Sequence, residues 1–285
     1  TGAVRPRLGG ERNSVKRLNF MSMRFVQMSD PHILPPERQP MLLFNTIGRL
    51  RDAVAAVNRL DPEPDFVVVT GDLTSDESET SYRLVKELLA DLKVPYHLVP
   101  GNHDARIPFR RIMYEETDPQ PDRLHSAFVH NGVQIVMLDT LDEGRVTGAI
   151  DDAQLIWLDE VLIKNGRCPT VVCMHHPPVP VGVEWMDAVM LQEAHRLLDV
   201  LDRHSSVRLV LCGHVHHVFR IERKHYTVCT APAVSVQFRK IPLPPPIEGS
   251  NSIRTDEPSA FHIVDLSAGV FETTVFPVIT ETKRC

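Results

Sequence analysis

Five times in this chain an apolar run stops at a short polar cluster: Asp30-Pro31-His32, Gly71-Asp72, Gly101-Asn102-His103-Asp104, His175-His176 and Gly213-His214-Val215-His216. The runs, such as Arg24 to Met28, Phe66 to Thr70 and Tyr96 to Val99, are short and rich in β-branched or aromatic residues, the composition of strands. Between them the period lengthens. Ile47, Leu50, Val54, Val57 and Leu60 fall at helical spacing, as do Leu84, Leu88, Leu89 and Leu92 within a helix predicted over Ser81 to Leu92. Strand, cluster, helix, strand is the rhythm of an α/β fold.

The pattern continues to the C-terminal third. Val133 to Leu138 reaches Asp139, Ala153 to Ile163 reads as an amphipathic helix, and Thr170 to Met174 delivers the histidine pair before Pro177-Pro178. A helix over Leu191 to Leu201 precedes the strand Arg208 to Cys212, which delivers Gly213 to His216, and Tyr226 to Thr230 is a further strand. Phe261 to Leu266 and Val270 to Phe276, joined by Ser267-Ala268-Gly269, predict a closing hairpin. The Pro-rich stretch Ile241 to Pro258 cannot pair within a central strand and predicts a loop or lid. One catalytic domain over residues 23–285 is expected, with this loop and hairpin occupying 241–278. Residues 1–22 carry Arg5, Arg7, Arg12, Lys16 and Arg17 but no apolar core of a signal peptide, so they read as a disordered extension.

Composition narrows the function classes. No apolar run approaches the roughly 20 residues of a membrane span, which predicts a soluble protein with no membrane partner and a cytoplasmic location by default. A net charge of −6 argues against long nucleic acids as partners, while bound cations could still reverse the local sign for a small anion. The five cysteines show no C-x-x-C spacing and read as buried free thiols.

Asp, Asn and His are ligands that divalent Fe, Mn, Zn or Co accept. Asp30 and His32 stand two apart, so both can turn toward one ion from an extended strand end. Alone the pair would read as a turn residue and a surface histidine. Asp72 has two carboxylate oxygens and can bridge two ions, although an isolated Gly-Asp turn would be unremarkable. Asn102 can offer its carbonyl oxygen, and His103 can face the substrate as an imidazolium or a proton donor. Neighbouring strand residues point opposite ways, so His175 is the expected ligand and His176 its support. His214 and His216, two apart, can reach one ion each. Clusters that each follow a strand converge beyond the carboxyl ends of the sheet, which makes one site of them.

In order and spacing, D-x-H, G-D, G-N-H-D, H and G-H-x-H resemble the calcineurin-like metallophosphoesterases from Arg24 to about Phe238. Within that family the chain is most similar to the class III cyclic nucleotide phosphodiesterases and related glycerophosphodiesterases. Met174-His175-His176-Pro177-Pro178-Val179-Pro180, with Gly182 and Trp185-Met186-Asp187, is similar to the glycerophosphodiesterase branch. The resemblance implies a four-layer αββα sandwich, often a homodimer or larger homo-oligomer. It implies two divalent ions, one held by Asp30, His32, Asp72 and His216 and the other by Asp72, Asn102, His175 and His214. Asp72 would bridge, and His103 would face a small phosphodiester, either a glycerophosphodiester or a 3',5'-cyclic nucleotide, attacked directly by a hydroxide that the ions generate. One departure is Val236-Gln237, where the glycerophosphodiesterase branch places a histidine shortly before the glutamine. The stretch Ile107 to His130 is expected to form part of the substrate rim.

Two rival readings use the same residues. A phosphomonoesterase or protein phosphatase can be built on the same metal pair, which by itself does not distinguish monoester from diester. A non-catalytic scaffold should lack ligands or His103, and this chain has them all.

Overall fold

The computed structural model describes residues 22–38, 44–240, 254–267 and 269–279. Its strands are Met23–Met28 (β1), Val67–Thr70 (β2), Tyr96–Val99 (β3), Ser126–His130 (β4), Val133–Met137 (β5), Thr170–Cys173 (β6), Val207–Cys212 (β7), Arg220–Arg223 (β8), Tyr226–Thr230 (β9), Ala260–Ser267 (β10) and Val270–Pro277 (β11). Its helices are Thr46–Val57 (α1), Glu79–Leu89 (α2), Arg106–Met113 (α3), Asp152–Lys164 (α4), Glu184–Asp187 (α5) and Ala194–Arg203 (α6). Two sheets result, in the orders β11-β10-β1-β2-β3 and β4-β5-β6-β7-β9-β8.

Strand alternation separates the layers. On β1 and β2, Val26, Met28, Val67 and Val69 face α1, α2 and α3, where they meet Leu50, Val54, Leu88 and Phe109. Their neighbours Phe25, Phe66 and Val68 face the other way, against Ile135, Met137, Val171, Cys173, Leu209 and Leu211 of the second sheet. The far side of that sheet, Val136, Leu138, Val172 and Val210, is covered by Leu155, Leu158, Leu162, Leu197 and Leu201 from α4 and α6. Three apolar interfaces between four layers make the αββα sandwich. The central strands β1-β2-β3 and β5-β6-β7-β9 are parallel, so their carboxyl ends share one edge of each sheet.

Local chemistry fixes the helix starts. Asn45, Ser78 and Asp151 accept backbone N–H bonds from Gly48, Ser81 and Gln154 at the openings of α1, α2 and α4. α6 begins at Ala194 and not at the expected Leu191, because Leu191 bridges to Gly148 and Glu193 takes a left-handed φ of 48° that no helix can pass through. The stretch expected to form the rim contains α3, packed against α2, and β4, an edge strand paired to β5 with Phe128 opposite Ile135. The C-terminal hairpin is present as β10 and β11. Residues 1–21 and 241–253 lie outside the described residues, and with them most of the expected extension and loop. Cys173, Cys212 and Cys229 are buried free thiols, whereas Cys168 is half-exposed.

Candidate dinuclear metal centre

The five polar clusters follow β1, β2, β3, β6 and β7 and meet where the carboxyl ends of both sheets face each other. Asp30, His32, Asp72 and His216 bring one ligand atom each to within 4.8 Å of one another. His32 Nε2 lies 3.0 Å from His216 Nε2 and 3.4 Å from Asp72 Oδ2, and His216 Nε2 lies 3.3 Å from Asp30 Oδ1. The other oxygen of Asp72, Oδ1, lies 3.4 Å from His175 Nε2, which is itself 3.1 Å from Asn102 Oδ1. Asp72 therefore turns one oxygen to each of two donor groups. His214 belongs with His175 in the second group.

The histidines are oriented by what their outer nitrogens hold. His175 Nδ1–H donates to the carbonyl of Thr70 and His216 Nδ1–H to that of Val236, each at 2.7 Å, which turns both Nε2 atoms inward. His214 Nε2–H donates to the carbonyl of Val189 at 3.0 Å, leaving Nδ1 for the site. His32 Nδ1 lies 3.2 Å from the Ser75 hydroxyl. Lone pairs and carboxylate oxygens packed this closely, away from water, repel one another unless cations lie between them. The donor set thus fits two divalent ions of the borderline class.

His176 sits within the same 4.8 Å group as His175 and His214, but it is not free to ligate. Its Nδ1 accepts from the Thr140 hydroxyl at 2.8 Å, and its Nε2–H donates to the Val146 carbonyl at 3.2 Å. Both ring nitrogens are therefore committed, as expected for a supporting residue.

The backbone under the site is strained. Asp30, His32, Asp72, His214 and His216 all have positive φ, between 48° and 71°, in a region that costs non-glycine residues on the order of 1 to 3 kcal/mol each. Left-handed turns after β1, β2 and β7 bend the chain sharply enough to point these side chains at one another. Gly101 is required beside them, since a Cβ there would collide with the Asp72 side chain, and one at Gly213 would collide with Ser29.

Burial and charge set the protonation states. Burial holds His32 and His214 down to about 3, so both are neutral and ready to ligate. Burial opposes charge on His175 as well, but the adjacent Asp72 carboxylate outweighs it and lifts His175 to about 9. Asp72 is buried too, and His175 and His32 still hold it well below the usual carboxylate range. Asp30 is likewise lowered against its burial by His216.

His103 is exposed, and its ring stands edge-on to His32 at 5.0 Å. Its backbone N–H donates to Asp72 Oδ1 at 2.9 Å. The next residue, Asp104, is a site residue that reading the sequence passed over except as the end of its motif. It is buried and accepts from the backbone N–H of Gly101 at 2.9 Å and of Leu73 at 3.1 Å, and from the Tyr82 hydroxyl at 3.0 Å. It thereby ties the turn that holds Asp72 to the turn that holds Asn102. Arg106 extends the tie to the second sheet through a buried two-pronged pair with Asp139, at 2.7 and 3.0 Å. Gln237, beside the departure from the glycerophosphodiesterase pattern, is structural: its amide bonds the backbone of Ala233 in both directions.

Two cavities open onto the centre, of about 340 and 310 Å³, and both have His32, His103, His216 and Phe238 in their walls. Among the described residues, none from the expected rim at 107–130 lines either cavity. α3 and β4 use that stretch for packing, and the walls come from Leu34, Arg38, Phe44, Thr46, Val146, the α5 region and Phe238 instead.

The calcineurin-like phosphoesterase family is matched over residues 23–218. The chain is 34% identical over 221 residues to the probable glycerophosphodiester phosphodiesterase of Arcobacter nitrofigilis, an alignment covering 75% of this chain and 80% of that protein. It is 32% identical over 217 residues to the 3',5'-cyclic adenosine monophosphate phosphodiesterase of Pseudomonas aeruginosa, covering 76% and 78%. In fold it is similar to a dimetal phosphatase from Danio rerio, with a TM-score of 0.63 at 18% identity over 90% of this chain and 99% of that one.

Proposed function

This chain belongs to the calcineurin-like phosphoesterase family, and from that premise we propose that it hydrolyses small phosphodiesters, glycerophosphodiesters or 3',5'-cyclic nucleotides, with two divalent ions as cofactors. The observation that carries the reading is the division of Asp72, whose two oxygens face two separate groups of buried donors. Asp30, His32, Asp72 and His216 would hold one ion, and Asp72, Asn102, His175 and His214 the other. Bound there, such a pair supplies Lewis-acid charge for the phosphoryl oxygens and lowers the pKa of water.

The chain's own residues supply the rest. The neutral His32 and His214 and the ionised Asp30 and Asp72 offer lone pairs without first losing a proton, whereas His175 must release one to ligate. Thr70, Val236 and Val189 lock three of the rings through backbone carbonyls, so the site is organised before substrate arrives. His103, exposed at the mouth of both cavities, is positioned to hydrogen-bond a phosphoryl oxygen or protonate the departing alkoxide. Residues 23–285 are proposed as the catalytic domain with 1–22 as an extension. The family resemblance also supports a homo-oligomer, which light scattering would check, and a cytoplasmic location is proposed, which fractionation would check.

The test is Asp72→Asn, with metal content and hydrolysis of bis(p-nitrophenyl) phosphate and p-nitrophenyl phosphate measured together. The expected outcome is loss of metal and of diester hydrolysis, against a wild type that prefers the diester. Full metal content with full activity would remove the bridging assignment, and a wild type that prefers the monoester would favour the phosphatase reading.

A further inference from the structure

The two cavities share a wall and otherwise differ. Phe238 lies flat on the His216 ring, with centroids 4.0 Å apart and planes within 5°, and meets Trp185 edge-on at 5.7 Å. It therefore stands between the two spaces beside the candidate ligands. On one side the cavity runs past Leu34, Phe44, Ser75 and Val236, with Arg38 and Arg254 also in its wall. On the other it is bounded by Val146, Trp185, Met186, Val189 and Val215, and apart from the metal donors and His103 no ionisable side chain lines it. A phosphodiester has two ester oxygens whose substituents diverge from phosphorus. In an acyclic diester the two arms are separate groups, whereas in a cyclic one both oxygens return to the same sugar and form a single arm.

We infer that the site is shaped for acyclic diesters with two sizeable arms, one on each side of Phe238, and that the cavity walled by Val146, Trp185, Met186 and Val189 takes an apolar or aromatic arm. This rests on the diesterase reading above and selects within it. Carbon-lined walls gain nothing from a bare polyol arm, which would leave its hydroxyls without partners there, but they gain from burying a ring or an alkyl chain. Trp185 and Val146 are the specificity-determining residues, since they bound that cavity without supplying a donor to the metal groups.

The experiment compares phenyl p-nitrophenyl phosphate with methyl p-nitrophenyl phosphate on Mn²⁺-loaded protein. Both release the same leaving group, but the first has two aryl arms and needs both cavities, while the second has one and can use either. In the wild type the two-aryl ester is expected to have the higher kcat/KM, by roughly tenfold or more. Trp185→Ala, which removes the wall, and Val146→Trp, which fills the space from a half-exposed loop, should each bring that ratio close to one. A wild-type ratio near one, or a ratio that neither variant changes, overturns the inference while leaving the diesterase reading intact. Turnover of p-nitrophenyl phosphate with none of either diester overturns both.

Discussion

Each candidate histidine ligand here is made by two contacts, one facing the site and one facing away. A histidine whose outer nitrogen donates to a backbone carbonyl has one tautomer and one ring orientation, and only then does its inner lone pair have a fixed direction. This distinction separates His175 from His176, which are adjacent in the chain and buried alike. His103 differs from all of them: its backbone holds Asp72, and its ring is at the cavity mouth. Truncating that ring should therefore cost rate and not metal. For His103→Ala we expect unchanged metal content and a fall in kcat on the order of a hundredfold or more, the usual scale for a lost proton donor. Loss of metal in that variant would make His103 a ligand.

At the scale of the elements, the sheets are pinned together beneath the site by polar groups where the inter-sheet layer stops being apolar. Gln27 of β1 donates to the Thr70 hydroxyl at 3.1 Å on β2 and to the Cys212 carbonyl at 3.0 Å on β7, joining the two sheets. Its own oxygen accepts from His262 Nδ1–H of β10, directly opposite in register, at 3.1 Å. His262 is buried, its Nε2 has no partner, and burial lowers it to about 4. The unfolded chain, with an ordinary imidazole near 6.5, takes up the proton first on acidification. The contribution of His262 to stability is thus complete above about pH 6.5 and declines as the pH falls toward 4, with a slope of at most about 1.4 kcal/mol per pH unit. The urea midpoint of His262→Gln should therefore fall less between pH 7 and pH 5 than that of the wild type. Parallel midpoints would show that β10 docks without this titration.

Taken as a whole, the molecule places its least favourable electrostatics at the junction of two otherwise well-packed halves. Two carboxylates and the inward lone pairs of the imidazoles converge there, on strained backbone. Cations that relieve this repulsion bind the folded state and not the unfolded one, so they stabilise it by mass action, by about 2.7 kcal/mol at a free metal concentration a hundred times Kd. Chelation should lower Tm by several degrees, and Mn²⁺, Zn²⁺, Co²⁺ or Fe²⁺ should restore it. In Asp72→Asn the restoration should be much smaller. A Tm that is indifferent to chelator and metal in the wild type would contradict a dinuclear centre at this junction. Among the described residues no helix is long and apolar enough to cross a membrane.

The sequence by itself determined the alternation of strands and helices and the placing of each polar cluster after a strand, because both follow from periodicity and composition over a few residues. It reached Asp30, His32, Asp72, Asn102, His175, His214 and His216 as one set through their order along the chain. It read the strands β3 and β9 to the residue and missed α3, α5, β4 and β8; the helices are short, and β4 and β8 are largely exposed edge strands with little apolar signal, each paired to the next strand across a two-residue turn. Only the tertiary structure decided that Asp72 divides its oxygens between two groups, that Thr140 and Val146 commit both nitrogens of His176, and that Asp104 joins two turns. It also moved the cavity walls from 107–130 to Trp185, Val146 and Phe238. The physical reason is range: periodicity is local, whereas the direction of a lone pair and the shape of a cavity depend on contacts between residues up to about a hundred positions or more apart, which only the folded chain brings together.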